Sequence, residues 1–208
     1  MWTRIKVAAA TAAFLAVGAN AASADSYTGP GFAGVAWAKE SNQKAVKFGA
    51  INVGAEGLKM DIEQQGQRVS IIRLWDADVA FSLMHDQKMY MEIPPEQTGW
   101  DDYSEEACTG FEKGEKLGSE TVNGRDTEKW SCTGQAFVPE GSQAADATVW
   151  YDPKLKFAIK SIDADGNEFE VKDIKVGAQK SSMYEIPAGY QKFDMNAMMQ
   201  QMMQQGQQ

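Results

Sequence analysis

Along most of the chain, apolar and polar positions alternate with a period of two. Val46, Phe48 and Ala50 alternate with Lys47 and Gly49, and Leu58, Met60 and Ile62 with Lys59, Asp61 and Glu63. Val69 and Ile71 alternate with Arg68 and Ser70, running on to Trp75. Val79, Phe81 and Leu83 follow, then Met89, Met91 and Ile93 up to Pro94-Pro95. Short polar breaks at Gln65-Gly66-Gln67, Asp76-Ala77-Asp78 and His85-Asp86-Gln87 separate these runs. Strict alternation with such breaks predicts a meander of half-buried antiparallel strands. A polar, acidic stretch from Glu96 to Gly114 reads as a long loop. A second meander follows it. Lys116 to Val122 and Thr127 to Cys132 flank Asn123-Gly124, a strong hairpin signal. After a loop over Gly134 to Ala145, Thr148 to Tyr151 and Leu155 to Ile159 flank Asp152-Pro153-Lys154. Asp163 to Asn167 turns the chain into Phe169, Val171, Ile174 and Val176, and the change of phase after Val171 predicts a β-bulge. Ser182 to Ile186 reads as the last strand, for about ten in all.

These strands are apolar on one face and charged on the other. The apolar face has to be covered, or the sheet has to curl on itself. Ala33 to Lys47 is compatible with either strand or helix. The clear amphipathic helix is C-terminal, where Met195, Met198, Met199, Met202 and Met203 fall at i, i+3, i+4, i+7 and i+8 among glutamines. The expected fold is therefore mainly β: a curved antiparallel sheet forming an unclosed half barrel, with few helices. A thin lid over such a sheet leaves a hydrophobic concavity. Leu58, Met60, Ile62, Val69, Ile71, Phe81, Leu83, Met89 and Met91 are its expected lining.

The first residues change the compartment. Arg4 and Lys6 precede an apolar run from Val7 to Ala19, and Ala22-Ser23-Ala24 follows as a small-x-small motif. This is the pattern of a secretory signal peptide, with cleavage expected after Ala24 or, alternatively, Ala21. The run is short for a membrane span, which needs about 20 apolar residues. The expected organisation is a signal peptide over 1–24, a β domain over 25–194 and a Met/Gln-rich tail over 195–208. The expected location is the periplasm, with no integral membrane span once the signal is removed. In an oxidising compartment the two cysteines, Cys108 and Cys132, read as one structural disulfide. Closing that loop contributes roughly 3 kcal/mol in the chain-entropy model.

Composition excludes several chemistries. With 20 Lys+Arg against 29 Asp+Glu, the 208-residue chain has a net charge of −9 and lacks a basic block. That argues against nucleic-acid binding, which rests on phosphate neutralisation. Two cysteines and one histidine cannot build a four-thiolate or His-rich zinc site. Asp163, Asp165 and Asn167 imitate the start of a calcium loop, but Glu168 and Ile174 stand where the loop needs Gly and Glu. They read as a hairpin turn. Asp101, Asp102, Glu105 and Glu106 read as a solvated loop. A Ser-His-Asp site would have to use His85, and the chain has no Gly-x-Ser-x-Gly turn. His85 is expected to be a surface or satisfied histidine. No catalytic group or cofactor is expected. The five tail methionines offer an alternative, since Cu(I) favours soft thioether sulfur.

Four local features together resemble a known group. These are Gly57-Leu58-Lys59-Met60-Asp61-Ile62 leading through Ile71-Ile72 to Lys88-Met89-Tyr90; Gly118 to Trp130 around Asn123-Gly124; Val149-Trp150-Tyr151-Asp152-Pro153-Lys154; and Tyr184-Glu185-Ile186-Pro187-Ala188-Gly189-Tyr190 before the Met-rich end. The mature chain resembles an uncharacterised family of exported bacterial proteins within the LolA/LolB-like lipoprotein-carrier superfamily. The resemblance implies an unclosed antiparallel barrel whose concave face is shielded by helices or loops; in the carriers that face holds lipoprotein acyl chains. The chain departs from the carriers in its Met/Gln tail. It also lacks a matched lipid-handling arginine, and Arg68 and Arg73 are candidates by position. The expected function is a non-enzymatic periplasmic binding protein for a lipid, acyl chain or other amphiphile. The alternatives are Cu(I) handling by the tail, or an interaction or stress module for envelope proteins.

Overall fold

The computed structural model describes residues 27–64, 66–77, 79–94, 105–135 and 146–193. The expected signal peptide, Asp101, Asp102 and the five tail methionines lie outside these residues. So does the expected C-terminal helix; among the described residues the helical element is a single 3-10 turn at Ser181–Met183.

Among the described residues, twelve strands form one open sheet. They are β1 (Phe32–Lys39), β2 (Val46–Gly54), β3 (Gly57–Gln64), β4 (Gln67–Leu74), β5 (Ala80–Met84), β6 (Met89–Ile93), β7 (Phe111–Val122), β8 (Arg125–Gln135), β9 (Ala147–Asp152), β10 (Phe157–Asp163), β11 (Glu168–Val176) and β12 (Gln191–Lys192). Their order across the sheet is β12-β6-β5-β4-β3-β2-β1-β11-β10-β9-β8-β7. Two meanders, β1 to β6 and β7 to β11, are joined by the antiparallel pairing of β1 with β11. Every pairing is antiparallel except β12 with β6. The expected mainly-β, unclosed antiparallel sheet is what the chain forms. The ambiguous segment from Ala33 is strand.

Local chemistry explains the corners. Asn123 and Gly124 take φ +51° and +74°, the left-handed pair that a two-residue hairpin needs. At the Asp163 turn, Asp163 Oδ1 accepts from the backbone N–H groups of Asp165 (3.0 Å) and Asn167 (2.8 Å). The calcium-like triplet is thus a self-bonded turn. The bulge expected after Val171 is present: β1 residues Ala33 and Val35 face Lys175 and Lys172, and Asp173 takes φ +52°.

Three local expectations fail. Ser182 to Ile186 is not a strand; it is the 3-10 turn followed by the buried Tyr184. Glu105 is not simply solvated, since it accepts from the Thr28 N–H at 2.8 Å and pairs with Lys156 at 2.6 Å. In β2 the inward residues are Gly49, Ile51 and Val53. Ala36 faces Gly49 while Trp37 faces Lys47, so Phe48 is an extra residue that flips the phase of the alternation.

One face of the sheet is turned inward. Residues directly opposite in an antiparallel pair share a face. Ile51 and Val53 of β2 and Leu58 and Met60 of β3 share one, and they belong to a buried cluster with Leu155 and with Phe157 and Ile159 of β10. Strands this far apart in the sheet order meet only if it curls with that face inside. Phe32 and Phe157 make an edge-to-face contact with centroids 5.2 Å apart. Small residues permit the curl: a Cβ on Gly34 would lie 2.6 Å from Val171 Cγ1.

The β7–β8 hairpin tip closes one gap. β10 and β11 pair only from Lys160 to Ile162, so the Val171 carbonyl has no partner on β10. Asn123 Nδ2 donates to it at 3.1 Å and to Glu170 at 3.0 Å. The disulfide Cys108–Cys132 joins the segment before β7 to β8, as expected, with Cα atoms 5.4 Å apart.

Candidate functional site

The expected cavity lining divides between the two faces. The register matches Met60 with Ile71, Ile71 with Ser82 and Ser82 with Met91, and matches Ile62 with Val69, Val69 with Met84 and Met84 with Met89. Leu58, Met60, Ile62, Val69, Ile71, Met89 and Met91 therefore share the inner face. Phe81 and Leu83 do not, because they stand opposite Ile72 and Ser70 on the outer face. Sequence alternation missed this because β4 carries Ile71 and Ile72 side by side, so either phase of β5 completes an apolar surface.

The inner face itself has two regions. Leu58 and Met60 are at most 1% exposed, packed with Phe32, Ile51, Val53 and Trp75. They form a filled floor. Further along, Val69, Ile71, Met84, Met89 and Met91 are only half buried. This part of the concave face is apolar, and Met adapts readily to irregular shapes. At the strand ends a groove of about 630 Å³ opens, lined by the apolar Phe48, Ile62 and Val69 and by Lys47, Asp61, Glu63, Arg68 and His85.

The two arginines differ. Arg68 lies exposed at this rim, paired with Asp86 at 3.1 Å. Arg73 is 4% exposed on the inner face, and its Nη1 donates to the carbonyls of Leu74 and Ala77, holding the turn after β4. Its surroundings are those of a structural group.

The outer face of β4 to β6 is covered by a segment far away in sequence. Ile72 and Leu83 pack with Tyr184, and Leu74, Phe81, Tyr90, Met183 and Tyr190 surround them. Gln191 N–H donates to the Lys88 carbonyl at 2.9 Å and Phe193 N–H to that of Tyr90 at 2.7 Å. Residues 181–193 thus form a strap over this face and along the free edge of β6.

His85 sits beneath the strap in a chain of four polar side chains. Ser70 Oγ lies 2.5 Å from Asp61 Oδ1 and 2.6 Å from His85 Nε2, and His85 Nδ1 lies 2.5 Å from the Tyr190 hydroxyl. The Asp61 carboxylate only accepts, so Ser70 donates to it and accepts from His85 Nε2–H. His85 Nδ1 then accepts from the Tyr190 O–H. Lys59 pairs with Asp61 at 3.0 Å. Burial first, then Lys59, hold the imidazole below its ordinary value. This is a satisfied histidine, as the sequence implied. The residue types are those of a hydrolytic triad, but the order is wrong: the carboxylate binds the serine instead of orienting the imidazole. Ser70 is 0% exposed and out of reach of a substrate. Its link to Asp61 was legible in principle, because a tight β3–β4 turn sets those two opposite each other.

Among the described residues no helix is long and apolar enough to cross a membrane, and no group of three or more His, Cys, Asp or Glu could hold a metal ion.

No curated protein matches the sequence significantly. The fold is similar to that of an uncharacterized conserved protein from Thermus thermophilus, with a TM-score of 0.51 at 8% identity over 80% of this chain and 91% of that one. Two further solved structures are similar at lower scores. The Mycobacterium tuberculosis lipoprotein LppX has a TM-score of 0.44 at 12% identity, covering 73% of this chain and 91% of its own. The LolA superfamily protein NE2245 from Nitrosomonas europaea has 0.36 at 9%, covering 76% and 90%. The expectation of an uncharacterised family is met. A family model described as a domain of unknown function, DUF4412, matches residues 32–150, more than half of the sequence, and the chain belongs to that family.

Proposed function

We propose that this chain is an exported, non-enzymatic binding protein for an amphiphile, such as a lipid or a lipoprotein acyl chain. The observation that carries this reading is the two-region inner face. Its β1–β3 part is a filled core, whereas Val69, Ile71, Met89 and Met91 continue the same apolar surface half buried and run into a rim groove of about 630 Å³. An apolar tail lies along that surface and a polar end reaches Lys47 and Arg68 at the rim. Burying a saturated chain contributes about 0.8 kcal/mol per methylene, so affinity needs no dedicated polar motif. Leu58 and Met60 act as the floor. Phe81 and Leu83 are not part of the site.

Export rests on the three-part N-terminal pattern and is supported by the disulfide, which persists in oxidising compartments. Removal of residues 1–24 leaves a periplasmic chain. The test is native mass spectrometry of protein purified from the periplasm, followed by titration with a phospholipid and with a free fatty acid. A co-purifying or titrated lipid adduct is the expected result. A clean apo mass with no uptake overturns the reading.

A further inference from the structure

The two edges of the sheet end differently. Residues 191–193 run along β6, whereas β7, at the other end of the strand order, pairs only with β8 among the described residues. A strand in that position is a template on which a further strand can add. β7 is long for an edge, and every residue from Glu112 to Thr121 is exposed. Leu117, at 53% exposure, is a large apolar side chain left on this surface.

The charge pattern selects the occupant. We propose that β7 pairs antiparallel with β7 of a second copy of this chain, about a two-fold axis at Gly114. In a two-fold antiparallel pairing one residue faces itself, and residues equally spaced on either side face each other. With Gly114 at the axis, Glu112 faces Lys116 of the second copy, Lys113 faces its Glu115, and Phe111 meets its Leu117. Every charge in the stretch meets its opposite. An axis at Glu112, Lys113, Glu115 or Lys116 instead sets that charge against its own copy, which is unfavourable. Lys116 already pairs with Glu128 of its own chain at 2.5 Å, whereas no salt bridge engages Glu112, Lys113 or Glu115 among the described residues. Lys113 and Glu115 therefore carry the recognition.

The ends limit the pairing. On one side Gly110 takes φ +87° and the Phe111 N–H bonds the Cys108 carbonyl at 3.1 Å, which stops the ladder. On the other, the β-bulge between Lys116 and Gly118 bends the strand. Gly110 and Gly118 face each other in this register, so the pairing uses the whole straight part of β7. Charges and a bulge on an edge ordinarily keep foreign strands away. Here they leave open the register that fits the chain's own copy. So short a contact is small beside the roughly 20–30 residues a side of a standard interface, and the dimer exchanges with monomer. The inference is independent of the ligand reading, because β7 lies at the end of the strand order away from β4 to β6.

The test is analytical ultracentrifugation of the mature chain over a concentration series, with charge swaps at the exposed Lys113 and Glu115. Gly114 is left unchanged, because a Cβ there would lie 2.8 Å from Cys108 Sγ. The wild type is expected to dimerise reversibly. Lys113→Glu and Glu115→Lys each turn two attractive pairs into repulsive ones, so each alone is expected to dimerise at least about tenfold more weakly. Mixed together, the two single variants are expected to form a heterodimer, because each then supplies the charge the other lacks. The double variant, Lys113→Glu with Glu115→Lys, is expected to dimerise like the wild type. A wild type that stays monomeric up to about 0.5 mM overturns the proposal. So does a dimer that the single swaps leave unweakened, or a failure of both the mixture and the double variant to restore association.

Discussion

Asp152 ends β9 at 1% exposure, where it takes a salt bridge from Arg125 and the N–H groups of Lys154 (2.9 Å) and Leu155 (3.1 Å). One carboxylate therefore holds the β8 hairpin end, the β9–β10 turn and the buried Leu155. Asp152→Ala leaves the Arg125 guanidinium and two turn amides without this partner. Breaking a buried pair from one side costs about 3–5 kcal/mol. With Arg125 still about a fifth exposed, the lower end of that range is expected, read from urea midpoints. At this scale the sequence was informative about type more than partnership. Asp152-Pro153-Lys154 reads as a turn from its residues alone, but Arg125 lies 27 positions away and nothing local points to it.

The β7–β8 hairpin depends on its tip. Asn123 combines a left-handed φ with two hydrogen bonds to β11, so Asn123→Ala loses both contacts and takes on strain. The expected loss is about 2 kcal/mol, combining a net hydrogen-bond contribution near 1 kcal/mol with the backbone cost. Hydrogen exchange at Val171 and Lys172 checks it, because those amides lie beside the gap that the tip closes. Unchanged protection there would show that the tip carries no structural role. The hairpin was legible because Asn-Gly demands a two-residue turn. Its docking was not, since the gap exists only where β10 parts from β11.

On the scale of the molecule, the curl separates the two faces of β4 to β6 into an inner apolar surface and an outer strapped one. That separation yields a paired prediction. Ile71→Glu places a charge on the half-buried inner face and is expected to abolish lipid uptake. Phe81→Ala on the outer face is expected to leave uptake within about twofold, while lowering stability by about 3 kcal/mol or less, since Phe81 is only partly buried. Native mass spectrometry and urea unfolding on the same two variants check both halves. Equal loss of uptake in the two would return Phe81 to the site.

Period-two alternation and turn chemistry determined most of the strands, the Asn123-Gly124 corner and the bulge after Val171. Each depends on neighbours within a few residues, so the local sequence contains the whole cause. The single possible cysteine pairing was legible in the same way, from count and compartment. Tertiary structure alone decided which residues look inward. Alternation assigns side chains to two faces within a strand, but a one-residue slip exchanges the faces, and the slip at Phe48 and the register of β4 with β5 are set by contacts between strands. The strap was hidden for the same reason. Tyr190 meets His85 across 105 positions, and only the folded chain brings residues 181–193 back over the first meander.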